Sequence, residues 1–260
     1  MSDSIWRSLK QQIRRVEKIR LFLDYDGTLA DFAPAPDIIL SDPALISLLS
    51  RLVETEKYLT AVISGRSLLH LRELLPMKGL LLAGTYGLEM QFPDGSLVTA
   101  LDYGQVRPLM EKLLPKWQAL LDGQVGFFLE DKGWSLAMHA RFAAIEDARR
   151  VLDSARGEID QLSAGEGFAV EHRARFLEIT PVEANKRRSV ETILSRYTPA
   201  KALPIYMGDD LNDEEAFDAI LTAGGVCLRV GKEPVPTRAQ HRLSGPREVR
   251  QLLNKLAGSD

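Results

Sequence analysis

The run Ile19-Arg20-Leu21-Phe22-Leu23 passes without a break into Asp24-Tyr25-Asp26-Gly27-Thr28-Leu29, and this junction constrains the chain more than any other stretch. An apolar run that stops at two carboxylates reads as a buried strand delivering acids to its tip. Alternate side chains of a strand share a side, so Asp24 and Asp26 can face one small centre, while Gly27 permits a sharp exit. Two acids held this way suit phosphoryl transfer. One attacks phosphorus to form an aspartyl-phosphate, and the other handles the proton of the leaving and entering oxygens. Because carboxylates and phosphate repel, a magnesium ion is expected between them. For Asp-x-Asp alone, the competing reading is an Asx-rich turn at a strand end.

At 260 residues, with 45% hydrophobic and 27% charged residues, the chain has material for one large or two modest globular domains. A formal net charge of −3 and a pI near 5.9 argue against a general polyanion-binding surface, so nucleic acid is not an expected partner. A local basic pocket for one phosphate remains compatible. The single cysteine, Cys227, rules out an intrachain disulfide and a Cys-based zinc site, and the four histidines show no HxxxH spacing. No apolar run reaches the ~18 to 20 residues of a membrane span, and no signal-peptide h-region opens the chain. The expectation is therefore a cytoplasmic protein, with a monomer as the expected state. Residues 4–18 place Trp6, Leu9, Ile13 and Val16 at helical spacing among Arg7, Lys10, Arg14, Arg15 and Lys18. Such a basic amphipathic helix packs its stripe on the domain it precedes, the expected outcome here, or lies on a membrane surface.

Strand and helix patterns alternate after the first strand. Asp42-Pro43 reads as an N-cap with Pro at N1, followed by the stripe Leu45, Leu48, Leu49, Leu52 and Val53. A strand over 58–64, a helix over 67–75 and a short apolar run over 79–84 come next. The same rhythm returns with a helix over 186–197, a strand over 203–207, a helix over 213–221 and a strand over 225–230. Alternation of this kind implies an α/β fold with a Rossmann-like parallel sheet, divided in sequence. Between the halves the rhythm changes to helix 106–121, strands 126–130 and 134–140, helix 144–156, and strands 168–172 and 176–179. That order fits an inserted α+β cap domain with helices on one face of an antiparallel sheet. The expected domains are a core of residues 1–102 and 183–260 and a cap of residues 103–182.

Ligands of open parallel sheets gather outside the carboxyl ends of strands. Four polar groups stand at such places: Asp24 with Asp26, Ser64-Gly65-Arg66, Lys186, and Gly208-Asp209-Asp210-Leu211-Asn212-Asp213. Ser64 is expected to donate to a phosphoryl oxygen, with Gly65 leaving backbone N–H groups open to the same anion and Arg66 beside them. A helix start explains Ser-Gly-Arg equally well. Lys186 is expected to neutralise nucleophile and phosphate, with Arg187 and Arg188 as rival cations. The acids of the last segment indicate a hard divalent cation, naturally Mg²⁺. Asp24 and Asp209 are assigned as its side-chain ligands and Asp26 as a carbonyl ligand, while Asp213, with Asp210, stands behind them orienting water. Asp213, Glu214 and Glu215 also complement a helix N-terminus, and both readings hold together.

These elements in this order resemble the motifs of the haloacid dehalogenase phosphatases, and within them the trehalose-6-phosphate phosphatases. The carrying segments are LFLDYDGTLADFAPAP from Leu21, VISGRS from Val62, LEDKGWSLAMHAR from Leu129, VEHRARFLEITP from Val170 and GDDLNDEEAF from Gly208. The resemblance implies Asp24 as nucleophile, Asp26 as acid/base, and Mg²⁺-dependent hydrolysis of trehalose 6-phosphate under a closing cap. It also implies that Glu130, Lys132, Arg141 and Glu178 grip sugar hydroxyls, where an exposed ion pair on a small sheet is the plainer reading. The chain departs from the family pattern at Tyr86, where His is usual, at Arg187, where Gly is usual, and at Asn212, where Thr is usual. The alternatives are a phosphatase of another sugar phosphate, such as sucrose 6-phosphate or a glycosyl-phosphoglycerate, and a non-catalytic regulatory partner of a sugar-phosphate synthase. Loss of Asp24, Asp26 or Asp209 would mark the last of these, and all three are present.

Overall fold

A computed structural model of the protein describes residues 3–32, 40–162 and 167–258. The end of the first motif, Ala33 to Pro36, lies outside the described residues. In chain order the strands are β1 (Ile19–Leu23), β2 (Tyr58–Ile63), β3 (Leu81–Gly84), β4 (Glu89–Gln91), β5 (Leu97–Thr99), β6 (Phe128–Asp131), β7 (Leu136–His139), β8 (Phe168–Arg173), β9 (Phe176–Pro181), β10 (Leu203–Gly208), β11 (Val226–Val230) and β12 (His241–Leu243). The helices are α1 (Asp3–Ile13), α2 (Pro43–Glu54), α3 (Leu68–Leu74), α4 (Tyr103–Leu120), α5 (Ile145–Gln161), α6 (Lys186–Tyr197), α7 (Leu211–Thr222) and α8 (Pro246–Ala257). Two compact units result, Met1–Val98 with Asn185–Asp260, and Thr99–Ala184.

The first unit is built on an eight-stranded sheet ordered β12-β11-β10-β1-β2-β3-β4-β5. From β12 to β3 every pairing is parallel, and β4 then runs antiparallel to β3. All five residues of β1 are buried, as a central strand covered on both faces requires. Its side chains divide by the period of two: Ile19, Leu21 and Leu23 enter one core layer, and Phe22 enters the other. The first layer is closed by Leu45, Leu49 and Leu52 of α2, Leu71 of α3 and Leu252, Leu253 and Leu256 of α8. The second is closed by Val190 and Ile193 of α6 and Phe217 and Ile220 of α7. Arg20, the one charge in the run, donates to Thr198 Oγ1 at 3.1 Å and to the Tyr197 carbonyl. Helix α2 starts as its sequence dictates, with Asp42 accepting the N–H groups of Ala44 and Leu45 and Pro43 in the first turn.

Helix α1 resolves the choice between packing and a membrane surface in favour of packing. Leu9 and Ile13 lie in the first core layer, and the Trp6 ring has Lys10 Nζ at 5.8 Å and Lys255 Nζ at 5.6 Å from its centroid. The helix ends at Ile13 rather than continuing to Lys18. Its bonds tighten from Arg14 N–H→Lys10 O to Arg15 N–H→Gln12 O, the usual 3₁₀ exit as the chain turns toward β1. Strands β4, β5 and β12 and helix α8 complete the sheet and its cover without having been anticipated. The three strands have three residues each, too short for an alternating pattern, whereas the stripe Val249, Leu252, Leu253, Leu256 of α8 is a readable one.

The second unit is a four-stranded antiparallel sheet ordered β6-β7-β9-β8 with helices α4 and α5. Trp117 of α4 is fully buried and donates its indole N–H to the Ala155 carbonyl of α5 at 3.1 Å. Among the described residues, no helix is long and apolar enough to cross a membrane. Replacement Leu9→Ala is expected to destabilise the protein by about 2–5 kcal/mol, read as a lowered urea midpoint. A midpoint equal to that of the parent would show that α1 contributes no packing.

Candidate active site

Three chain segments meet at one buried ammonium. Asp24 follows β1 directly and keeps the sheet ladder by donating its N–H to the Met207 carbonyl at 3.0 Å. Lys186 opens α6, whose start is fixed by Asn185 accepting the N–H groups of Arg187 and Arg188. Its Nζ stands 2.7 Å from Asp24 Oδ1, 2.7 Å from Asp213 Oδ1 and 3.9 Å from Asp210 Oδ1. Of the rival cations, Arg187 turns instead to Glu191 and Asp218. Asp213, wholly buried, also accepts the Tyr206 hydroxyl at 2.8 Å on Oδ1 and the Asp210 N–H at 3.0 Å on Oδ2. In return Asp210 Oδ1 accepts the Asp213 N–H at 3.0 Å, so the same two acids form the capping box of α7. The expected place of Asp213 at a helix N-terminus is thus observed.

Two glycines make this approach feasible. A Cβ on Gly27, whose φ is +77°, would lie 2.2 Å from Asp209 Oδ2, and one on Gly208 would lie 2.2 Å from Asp213 Cγ. Thr28 Oγ1 donates to Asp209 Oδ1 at 3.5 Å. Carboxylate oxygens of Asp24, Asp209 and Asp213 consequently fall within 4.8 Å of one another. Burial raises the Asp24 carboxyl well above its ordinary range, against the pull of Lys186. The same cause, with Asp213 and Asp210 adding to it, raises Asp209 to about 6. Burial also raises Asp213, again opposed by Lys186. For Lys186, burial disfavours the charge, yet Asp213 and Asp24 outweigh it and hold the ammonium protonated. One ammonium cannot balance three clustered acids, two of them buried and Asp209 half-buried, and an all-oxygen donor set fits a hard divalent cation. Asp24 and Asp209 are the acids suited to hold it, since both Asp213 oxygens already accept protein donors.

Asp26 stands differently from its neighbour. Arg66 grips both its oxygens, Nε to Oδ2 at 2.7 Å and an Nη to Oδ1 at 2.8 Å, the bidentate fork that a planar guanidinium favours. Arg66 was expected toward substrate, and its observed carboxylate partner is Asp26. Ser64 is buried at the end of β2, its N–H bonded to the Ala83 carbonyl and its Oγ accepting the Arg66 N–H at 3.1 Å. Gly65 is bare for a visible reason, because a Cβ there would come within 2.7 Å of the Tyr86 ring. Thr85 and Tyr86 occupy the left-handed region at φ 46° and 56°, a conformation costing non-glycine residues about 1–3 kcal/mol each.

In the second unit, pairing puts Glu130, Ala137 and Glu178 in one row across β6, β7 and β9, so both acids share a face. Lys132 Nζ lies 2.8 Å from Glu178 Oε1 and 4.0 Å from Glu130 Oε2, with these three side chains no more than 8% exposed. Ser135 donates to Glu178 Oε1 at 3.0 Å, and His139 Nε2 lies 3.1 Å from Glu130 Oε2. This is a buried polar network, not an exposed ion pair. Arg141 is exposed at the turn after β7, with its guanidinium 5.8 Å from the Phe142 ring centroid. Sequence reasoning missed Tyr206, Ser135 and His139. Ala137 and His139 alternate along β7, with Ser135 immediately before it at the same spacing, a signal that could have joined them to Glu130; Tyr206 lies inside an apolar run that gives none.

A doubly covered parallel sheet with an acid-tipped central strand, a lysine opening a returning helix and an acidic loop after β10 defines a phosphoric monoester hydrolase of the haloacid dehalogenase type. The trehalose-phosphatase family model matches residues 22–256. A probable trehalose-phosphate phosphatase of Sinorhizobium fredii is 33% identical over 244 residues, covering 91% of this chain and 87% of the relative. In fold, the chain is similar to the C-terminal domain of a Candida albicans trehalose-6-phosphate phosphatase (TM-score 0.82, 21% identity, 98% and 97% of the two chains). It is also similar to a haloacid dehalogenase-like hydrolase of Bacteroides thetaiotaomicron (TM-score 0.62, 15% identity, 92% and 99%). The chain belongs to the trehalose-phosphatase family.

The raised carboxyls carry a pH dependence with a definite sign. A folded pKa of about 6 for Asp209, above the ordinary carboxyl value, means that the metal-free fold loses stability as pH rises from about 4 to 6. A divalent cation offsets that loss only where the acids are ionised. The thermal midpoint gained on adding MgCl₂ is therefore expected to be small at pH 5 and large at pH 7.5, and to shrink in Asp209→Asn. Equal gains at both pH values would refute the assignment.

Proposed function

We propose that the protein hydrolyses trehalose 6-phosphate to trehalose and phosphate through an aspartyl-phosphate, with Mg²⁺ as cofactor, as a cytoplasmic monomer. The observation that carries this reading is the intact Asp24-Lys186-Asp213 cluster, with Asp209 beside it, in a chain of the trehalose-phosphatase family. Asp24 attacks phosphorus, forming the Asp24 O–P bond as the bond from phosphorus to the sugar oxygen breaks, and Asp26 gives that oxygen its proton. Asp26 then takes a proton from the water that cleaves the acyl phosphate, returning Asp24. Lys186 keeps Asp24 oriented and balances its charge, while Ser64 donates to a phosphoryl oxygen. Asp24, Asp209 and the Asp26 carbonyl would hold Mg²⁺, which would supply the positive charge that lets an anionic nucleophile meet an anionic phosphate.

Substrate choice is assigned to Glu130, Lys132, Arg141 and Glu178. Glu130, Lys132 and Glu178, already joined in a buried network, can exchange partners with sugar hydroxyls without first being desolvated. Retention of Asp24, Asp26 and Asp209 counts against a non-catalytic regulatory role.

Asp24→Asn is expected to leave the circular dichroism spectrum unchanged and to abolish phosphate release; turnover at the parental rate would remove Asp24 as nucleophile. In Glu130→Ala, kcat/KM for trehalose 6-phosphate should fall at least about tenfold more than kcat/KM for p-nitrophenyl phosphate, the worth of one charged hydrogen bond. Equal losses on the two substrates would reject the sugar-contact role.

A further inference from the structure

The loop between β3 and β4 is more strained than its turn requires. Glycine adopts positive φ without penalty, yet Thr85 and Tyr86 adopt it with full side chains, and only Gly87, at φ 94°, follows the easy choice. Thr85 is wholly buried with its hydroxyl unpartnered, so the loop has not been selected for stability alone. What holds it belongs to the reaction centre. The Thr85 N–H donates to the Arg66 carbonyl at 2.7 Å and the Tyr86 N–H to the Ser64 carbonyl at 2.8 Å. Ser189, one helical turn beyond Lys186, donates its hydroxyl to the Tyr86 carbonyl at 2.5 Å. The strained residue is thus tethered to the phosphate-anchoring segment on one side and to the lysine helix on the other.

The side chain presented by this backbone lies over Gly65, where an added Cβ would meet Tyr86 Cζ and the phenolic oxygen at 2.7 Å. Tyr86 remains half-buried, unlike Tyr206 in the core. A phenol combines a ring that packs on carbon with a hydroxyl that donates and accepts. Resting on the proposed sugar-phosphatase reading, we infer that Tyr86 is a specificity-determining residue whose phenol meets the hydroxyl-bearing carbon skeleton next to phosphorus. Ser64 and Gly65 hold the phosphate itself, and Tyr86 distinguishes a sugar ester from a phosphate without hydroxyls.

The test compares the parent enzyme with Tyr86→Phe and Tyr86→Ala. KM and kcat are measured on trehalose 6-phosphate and on p-nitrophenyl phosphate, with the inhibition constant of inorganic phosphate. Tyr86→Phe is expected to raise KM for trehalose 6-phosphate about five- to tenfold, the loss of one hydrogen bond. Its kcat, its p-nitrophenyl phosphate kinetics and its phosphate inhibition constant should stay within about twofold, the scatter of a neutral substitution. Tyr86→Ala is expected to raise the sugar-phosphate KM further; should it fail to fold, the Phe variant alone decides. An unchanged KM in Tyr86→Phe, or a phosphate inhibition constant rising in step with KM, would overturn the inference, the latter making Tyr86 a prop of the phosphate loop. Parental turnover of p-nitrophenyl phosphate but not trehalose 6-phosphate would sink the substrate reading instead, and the same comparison would then decide Tyr86 on the sugar phosphate the parent prefers. A parent that turns over no sugar phosphate would overturn both.

Discussion

The first unit depends on the ammonium of Lys186, buried between Asp24 and Asp213. A charge in such a place is tolerated only when it is paired and its remaining protons are satisfied. Removing one partner of a buried pair typically costs about 3–5 kcal/mol, because the other charge is left uncompensated. The pairing therefore forces three distant pieces of sequence, the end of β1 and the starts of α6 and α7, into one arrangement. Tyr206 reinforces it from below, its ring between those of Phe22 and Phe217 and its hydroxyl on Asp213.

The same crowding explains the chemistry available there. Stability alone would not gather Asp24, Asp209 and Asp213 around one cation, since each carboxyl is displaced upward by its burial. The unit tolerates this as functional sites do, with compensation from the capping box of α7 and from the bare backbones of Gly27 and Gly208. Strain at Thr85 and Tyr86 belongs to the same pattern. In each case a locally unfavourable choice is held in place by neighbours that belong to the candidate active site.

Much of this was legible along the chain. The β1 run, the Asp42-Pro43 start of α2 and the extent of α6 were readable because one periodicity or one cap decides each of them locally. Strands β4, β5 and β12 were not, because three residues carry no period and their existence is settled by a neighbouring strand. In the second unit, Glu130 and Lys132 could equally have been an exposed pair. The register that sets Glu130 and Glu178 in one row through Ala137 decided for a buried network, and register is a property of paired strands.

By itself, the sequence determined which residue types stand at the strand ends, the acids, the serine and the lysine, because apolar runs end where they end whatever surrounds them. It thereby determined the class of reaction the chain is equipped for. Only the tertiary structure decided how those groups are partnered: Arg66 on Asp26, Tyr206 on Asp213, Tyr86 over Gly65. Those partners lie between 7 and 40 residues apart. The physical reason is that periodicity acts over a few residues of chain, whereas the pairing of a buried polar group is a demand on space, met by whichever side chain the packing brings within hydrogen-bond reach.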